Sequence, residues 1–303
     1  MDKAQLGLIA GLSVAAFSAA TSLLVRGIGA RIPSITLNAW RCTVAALIFL
    51  PIWWVSTGGH VPDARSLMWI GLSVMFSIVL GDTSFFIAIK KIGVSKAMPI
   101  AKTFPAITVL MSWLLLDESL SPLKLLGVAF AVAGTALMSQ PPAEPALAAG
   151  PEGKQAASSR RDHWIGVAVA VGTAFAWAIG AVVLKVSLTS ASVTEVSLFK
   201  TIMAGSMLWI ISSQVDRVPV GAVLSNRVSL LLAVATGFTL AGAAFLLVYS
   251  ISLVGAGAAS VYAGLAPLFA VPLGVLIFKE RMSPSAIVGC FLAVAGIICV
   301  SMG

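Results

Sequence analysis

Ten stretches of the chain are apolar along their whole length, and none alternates between apolar and polar positions. They run Leu6 to Val25, Ile35 to Val55, Leu67 to Ile89, Ala97 to Leu116 and Leu123 to Ser139. A second set runs Trp164 to Leu184, Val196 to Ser213, Val228 to Leu253, Ala258 to Phe278 and Ser285 to Met302. A helix needs about 20 apolar residues to cross a hydrocarbon layer of about 30 Å. Unbroken apolarity at that length excludes the alternating strands of a membrane barrel. The pattern predicts an all-α integral membrane protein of ten transmembrane helices. Between the fifth and sixth stretches lies Gln140 to Asp162, rich in Pro, Ala, Gly and Ser. That is linker composition. It divides the chain into 1–139, a linker at 140–162, and 163–303.

The two halves repeat. With a constant offset of 162, Gly93 to Ser139 aligns with Gly255 to Ser301 without a gap. Gly93, Pro105, Glu118, Ser121, Pro122, Gly127 and Gly134 fall on Gly255, Pro267, Glu280, Ser283, Pro284, Gly289 and Gly296. Biased composition yields chance Ala and Val matches, but not paired Pro, Glu and Gly in register. Five is an odd number, so the second copy enters the membrane in the opposite sense. Two inverted five-helix repeats are the expected architecture, one that alternating-access transporters share.

The repeated element reads Gly, Pro twelve residues on, Glu-x-x-Ser-Pro, then Gly-x6-Gly. Together with the aromatic-to-cation segments Phe17 to Arg26 and Trp177 to Lys185, it resembles the EamA family of the drug/metabolite transporter superfamily. The resemblance covers nearly the whole chain, twice. It implies ten helices around a central cavity and secondary transport, often export, of amino acids or related metabolites across a bacterial-type inner membrane, without naming the substrate.

Composition narrows the alternatives. The chain is 59% hydrophobic and 10% charged over 303 residues, so lipid must solvate most of its surface. The net charge of +8 forms no basic stripe, which argues against nucleic acid. Cys42, Cys290 and Cys299 sit inside apolar runs at no ligand spacing, so neither a disulfide framework nor a metal site is expected. Met1, Asp2 and Lys3 lead into an apolar stretch with no Ala-x-Ala-like site after it, read as a retained span. No Gly-x4-Gly-Lys-Ser/Thr loop, His-Glu-x-x-His or Gly-x-Ser-x-Gly occurs, so neither ATP hydrolysis nor an enzyme is expected, and no cofactor. His60 and His163 fall in predicted loops. Outside the spans, Lys3, Arg65, Lys124 and Lys185 stand on the N-terminal side against twelve Lys and Arg on the other, which puts both termini outside by the positive-inside rule. The family resemblance implies the opposite orientation.

An ionised side chain at mid-bilayer costs about 2.5–3.5 kcal/mol on insertion scales, so each one calls for a reason. Arg41, Asp82 and Lys102 fall at similar depth below one face. Asp82 and Lys102 map onto Ala244 and Gly264, so the second half lacks both and they are expected to partner each other. Arg41 maps onto Lys200, which inversion places near the opposite face. Arg41 and Lys200 are candidates for meeting an anionic group. Asp82 with Lys102 is a candidate gate, proton site or partner of an amino group, compatible with proton coupling. The bland alternative is helix pinning and snorkelling. Trp40, Phe85, Trp177, Tyr249 and Tyr262 lie deep enough to line a pathway, whereas Trp53, Trp54, Trp69, Trp164 and Trp209 read as an interfacial belt. Pro105 and Pro267 interrupt matching spans, a pointer to a transporter binding site. Glu118 and Glu280 read as interfacial packing. Gly127-x3-Ala131 and Gly289-x3-Ala293 read as small-residue faces joining the halves or a homodimer. The rival readings are an intramembrane enzyme on lipid-linked substrates and a structural or sensory membrane protein; the expected partners are membrane lipid and a small metabolite.

Overall fold

The computed structural model describes residues 2–28, 32–92, 97, 100–138, 160–218, 223–278 and 284–303, which are helix joined by turns and short irregular segments. The first half contributes α1 (Lys3–Ile28), α2 (Ser34–Thr57), α3 (Ala64–Val74), a π-helical segment (Met75–Asp82) and α4 (Thr83–Ile92). It ends with α5 (Phe104–Leu116) and α6 (Pro122–Met138). The second half contributes α7 (Arg160–Ser187), α8 (Val193–Val215), α9 (Arg227–Gly264), α10 (Ala266–Phe278) and α11 (Pro284–Met302). By length and composition, six helical runs are fit to cross a membrane: Lys3–Thr21, Ile35–Thr57, Ala64–Phe85, Trp164–Ser187, Val193–Val215 and Arg227–Ala270. Shorter apolar helices are Phe104–Leu116, Pro122–Leu137 and Ile287–Met302. Most of the predicted linker lies outside the described residues, and so do Gly93 and Glu280. His163, expected in a loop, falls inside α7.

The run α9 is two helices. At Gly255 the backbone takes φ 84° and ψ 170°, a region that essentially only glycine occupies. Ser250 and Tyr262 both lie against Gly11 of α1. In a continuous helix those twelve residues would span about 18 Å. The chain therefore doubles back at Gly255, which separates the two stretches that the apolar pattern predicts.

The first half's interruption is repeated in the second. Thr103 N–H donates to Ile100 O (3.1 Å) and Ala106 N–H to Thr103 O (3.0 Å). Leu265 N–H donates to Tyr262 O (3.3 Å) and Leu268 N–H to Leu265 O (2.9 Å), the same bonds 162 residues on. Pro105 and Pro267 each occupy the second position of the helix that follows, where a missing N–H costs nothing.

Antiparallel pairs hold the bundle. At one end of α2 and α8, the Asp216 carboxylate accepts from Thr36 N–H (2.8 Å) and the Thr36 hydroxyl (2.7 Å), capping α2 from its neighbour. In the middle, Trp209 Nε1 donates to Thr43 Oγ1 (3.0 Å). At the other end Glu195 closes the capping box of α8 and meets His60 Nδ1 at 2.5 Å. Trp209 thus lies between helices, not in the expected interfacial belt, because its N–H finds a hydroxyl there. Trp54 and Trp164 are 64% and 61% exposed, as a lipid-facing belt requires.

Helices α6 and α11, the last of each half, cross antiparallel at backbone contact. A Cβ on Gly127 would meet Gly296 O at 2.8 Å, and one on Gly134 would meet Gly289 O at 2.6 Å. Gly127 and Gly134 are the repeat counterparts of Gly289 and Gly296, so each crossing point is the other's twin. Lipid supplies no hydrophobic drive between helices, and such small-residue contact is what holds them. Gly134→Leu is therefore expected to eliminate the monodisperse peak in detergent size-exclusion chromatography, whereas Leu at the lipid-facing Val294 leaves it intact.

Candidate functional site

Two cavities lie at the centre of the bundle, of about 270 and about 170 Å³, and share Ser77, Trp177, Lys200 and Leu247 in their walls. Asp82 lines the larger one from the end of the π segment, and its repeat counterpart Ala244 belongs to the same wall. A π turn adds a residue to the helical repeat and is common at functional sites. Here α7 presses close against it: Ser73 Oγ donates to Gly180 O (2.8 Å), and a Cβ on Gly81 would meet the Trp177 indole at 2.5 Å. Glycine at 81 therefore lets the indole reach the carboxylate, and Trp177 Nε1 donates to Asp82 Oδ1 at 3.0 Å.

Charge gathers around that carboxylate. Asn38 lies against it, and Arg41, Lys102 and Lys200 are all within electrostatic reach. The Arg41 guanidinium donates to Asn38 Oδ1 (3.2 Å) and Thr236 O (3.4 Å). Lys102, at the turn before α5, holds its ammonium 5.5 Å from the Trp177 ring centre and 5.9 Å from that of Phe104. Lys200 lines both cavities and makes no hydrogen bond or ion pair with another described residue. Cys42 beside Arg41 faces Gly205, and Thr43 bonds Trp209, so Lys200 sits only about 10–15 Å further along the α2–α8 pair. It stands eight residues into a helix of 23, as Arg41 stands eight residues into the antiparallel α2 from the other end.

The aromatic candidates divide. Trp177 lines both cavities, and Phe85 packs on it at 5.3 Å between ring centres. Tyr262 is 2% exposed in the core against α1, Tyr249 stacks on Phe245 at 6.3 Å, and Trp40 stands edge-on to Trp209 at 5.6 Å. None of these three lines either cavity. Helices that are apolar on every side give no sequence signal for which face turns inward. Pro105 is buried beside Gly264, near Lys102.

Sequence reasoning missed Phe104, Leu247 and Ser77 in the cavity walls, and missed the role of Glu118. The Glu118 carboxylate accepts from Ala256 N–H (2.7 Å) and Gly257 N–H (3.1 Å), the first residues after the reversal. Lys185 Nζ donates to Ile251 O (3.1 Å), just before it. A cation thus caps the end of one helix and a carboxylate the start of the next, each matched to the local dipole. The signal was present: Gly255 and Glu118 both belong to the repeated element.

A helical bundle with charged groups gathered around central cavities, and with its backbone turns and small-residue contacts recurring between halves, is a duplicated multi-pass membrane protein. Residues 5–140 and 164–302 each match the EamA-like transporter family, and the chain belongs to that family. It is 23% identical over 267 residues to an uncharacterized transporter of Archaeoglobus fulgidus, covering 88% of this chain and 87% of that one. A crystal structure at 19% identity superposes with a TM-score of 0.74 over 98% of this chain and 97% of the other. That likeness speaks for the fold alone.

Proposed function

We propose that the chain crosses a bacterial-type inner membrane ten times as two inverted five-helix repeats and moves a small polar metabolite by alternating access, in the export direction. The substrate carries a carboxylate, and amino acids are among the solutes of that description. The observation that carries the reading is the pair of central cavities, in which Lys200 and the Trp177-bonded Asp82 face a space between the two halves. The twinned glycine contacts and recurring turns support inverted copies, since antiparallel equivalents meet at the α6–α11 seam. No phosphate-binding loop is present in the sequence to couple transport to ATP, which favours a secondary mechanism.

The test is flux. Proteoliposomes loaded with a labelled pool of amino acids and small organic acids are expected to release at least one solute faster than protein-free vesicles. Monodisperse, correctly inserted protein that moves no member of the pool would overturn the proposal.

A further inference from the structure

We infer that the central cavities are built for a compact organic anion with an apolar body, an aryl or branched aliphatic carboxylate, and that they select against solutes carrying an ammonium group. This rests on the reading of these cavities as the transport site, and within the carboxylates which that reading admits it disfavours amino acids.

Charge balance is the first argument. Arg41, Lys102 and Lys200 stand against one carboxylate, Asp82. At membrane depth an uncompensated cation is costly, and the surplus calls for an anion from outside the chain. The second argument is which groups are already engaged. Asp82 holds the Trp177 indole N–H and has Asn38, Arg41 and Lys102 around it. Arg41 is held by Asn38 and Thr236, and Lys102 faces two aromatic rings. Lys200 alone of the four has no direct partner among the described residues, so the open recognition element is a cation. A substrate ammonium would meet three positive charges and a carboxylate that is already taken.

The walls define the rest of the solute. Beside Lys200 the smaller cavity is bounded by Phe104, Trp177, Leu184, Leu247 and Ile251. An apolar cavity of about 150 Å³ accepts benzene. A space of about 170 Å³ thus takes one ring or a branched chain of similar bulk. Its carboxylate then reaches Lys200 at the wall shared with the larger cavity.

A matched trio tests this: 3-phenylpropanoate, phenylalanine and 2-phenylethylamine present one ring with an anionic, zwitterionic or cationic end. Binding to purified protein is read as thermal stabilisation, because the uncharged forms of the first and last cross bilayers unaided. A ligand at concentration c that binds only the folded state stabilises it by RT ln(1 + c/Kd), so the rise in melting temperature at a fixed concentration ranks the affinities. The expected result is stabilisation by millimolar 3-phenylpropanoate, at least tenfold weaker binding of phenylalanine, and none of the amine. Lys200→Met should weaken 3-phenylpropanoate at least tenfold, and Lys200→Arg less. If the Met variant does not fold, the wild-type trio and the Arg variant decide. Phenylalanine or the amine binding as well as the acid, no binding by any of the three, or an acid insensitive to Lys200→Met would each overturn the inference. Selective acid binding without flux of any solute would instead leave the anion site standing and remove the transport reading.

Discussion

Alanine at position 255 is expected to remove most of the folded protein. Gly255 sits at φ 84° and ψ 170°, where a side chain costs about 1–3 kcal/mol in backbone strain alone. Its new Cβ would also run into the Glu118 carboxylate, which must then release Ala256 and Gly257. A hydrogen bond to a charged group contributes about 1.5–3 kcal/mol, and two are at stake. Against a total stability of about 5–15 kcal/mol, the combined loss is of the same order. Melting followed by size-exclusion fluorescence in detergent should register little or no wild-type-like transition. Glu118→Ala should be less damaging, because the reversal keeps its glycine. The double variant should fall short of the sum, since one clash is common to both routes. A Gly255→Ala protein that melts like wild type would mean the reversal is not held in this way.

The second large effect is at Asp82. Asparagine keeps an oxygen to accept the Trp177 N–H but removes the charge. A unit charge about 8 Å away at an effective dielectric of about 20 is worth about 2 kcal/mol. With three cations left unopposed, Asp82→Asn is expected to bind 3-phenylpropanoate about tenfold more tightly. Protein-dependent exchange in proteoliposomes should fall at least tenfold, because release becomes the slow step. Asp82→Ala also strands the indole donor, at a further cost of about 1–3 kcal/mol, and should transport less still. Weaker anion binding by Asp82→Asn would assign the carboxylate to the substrate rather than to the cations around it.

The sequence made the large features readable because lipid imposes them. Apolar length marks a span whatever it packs against, so α1, α2, α7 and α8 are where the pattern puts them. The offset of 162 located the recurring turn and the seam, since both are made by backbone and by glycine or proline, whose roles travel with the residue. Charge was equally legible. Arg41, Asp82, Lys102 and Lys200 stood out because apolar surroundings make each one expensive. What could not be read is rotation and long-range pairing. Tyr262 turns toward α1 rather than a cavity, in a helix whose other faces are just as apolar. Glu118 looks interfacial until a backbone 138 residues away folds onto it. Lys185, counted as a topology signal, is spent on the Ile251 carbonyl, so one member of the smaller side of the charge tally reports on folding instead.

The seam between α6 and α11 also limits how the two halves can move. With glycine against a carbonyl at both crossings, any side chain brought to either point by sliding one helix along the other would run into main chain. Sliding along that line is therefore resisted at two places at once. Because α2 is also bonded to α8, and α1 lies against α9, the halves are laced together away from this line as well, and the seam is one stitch among several.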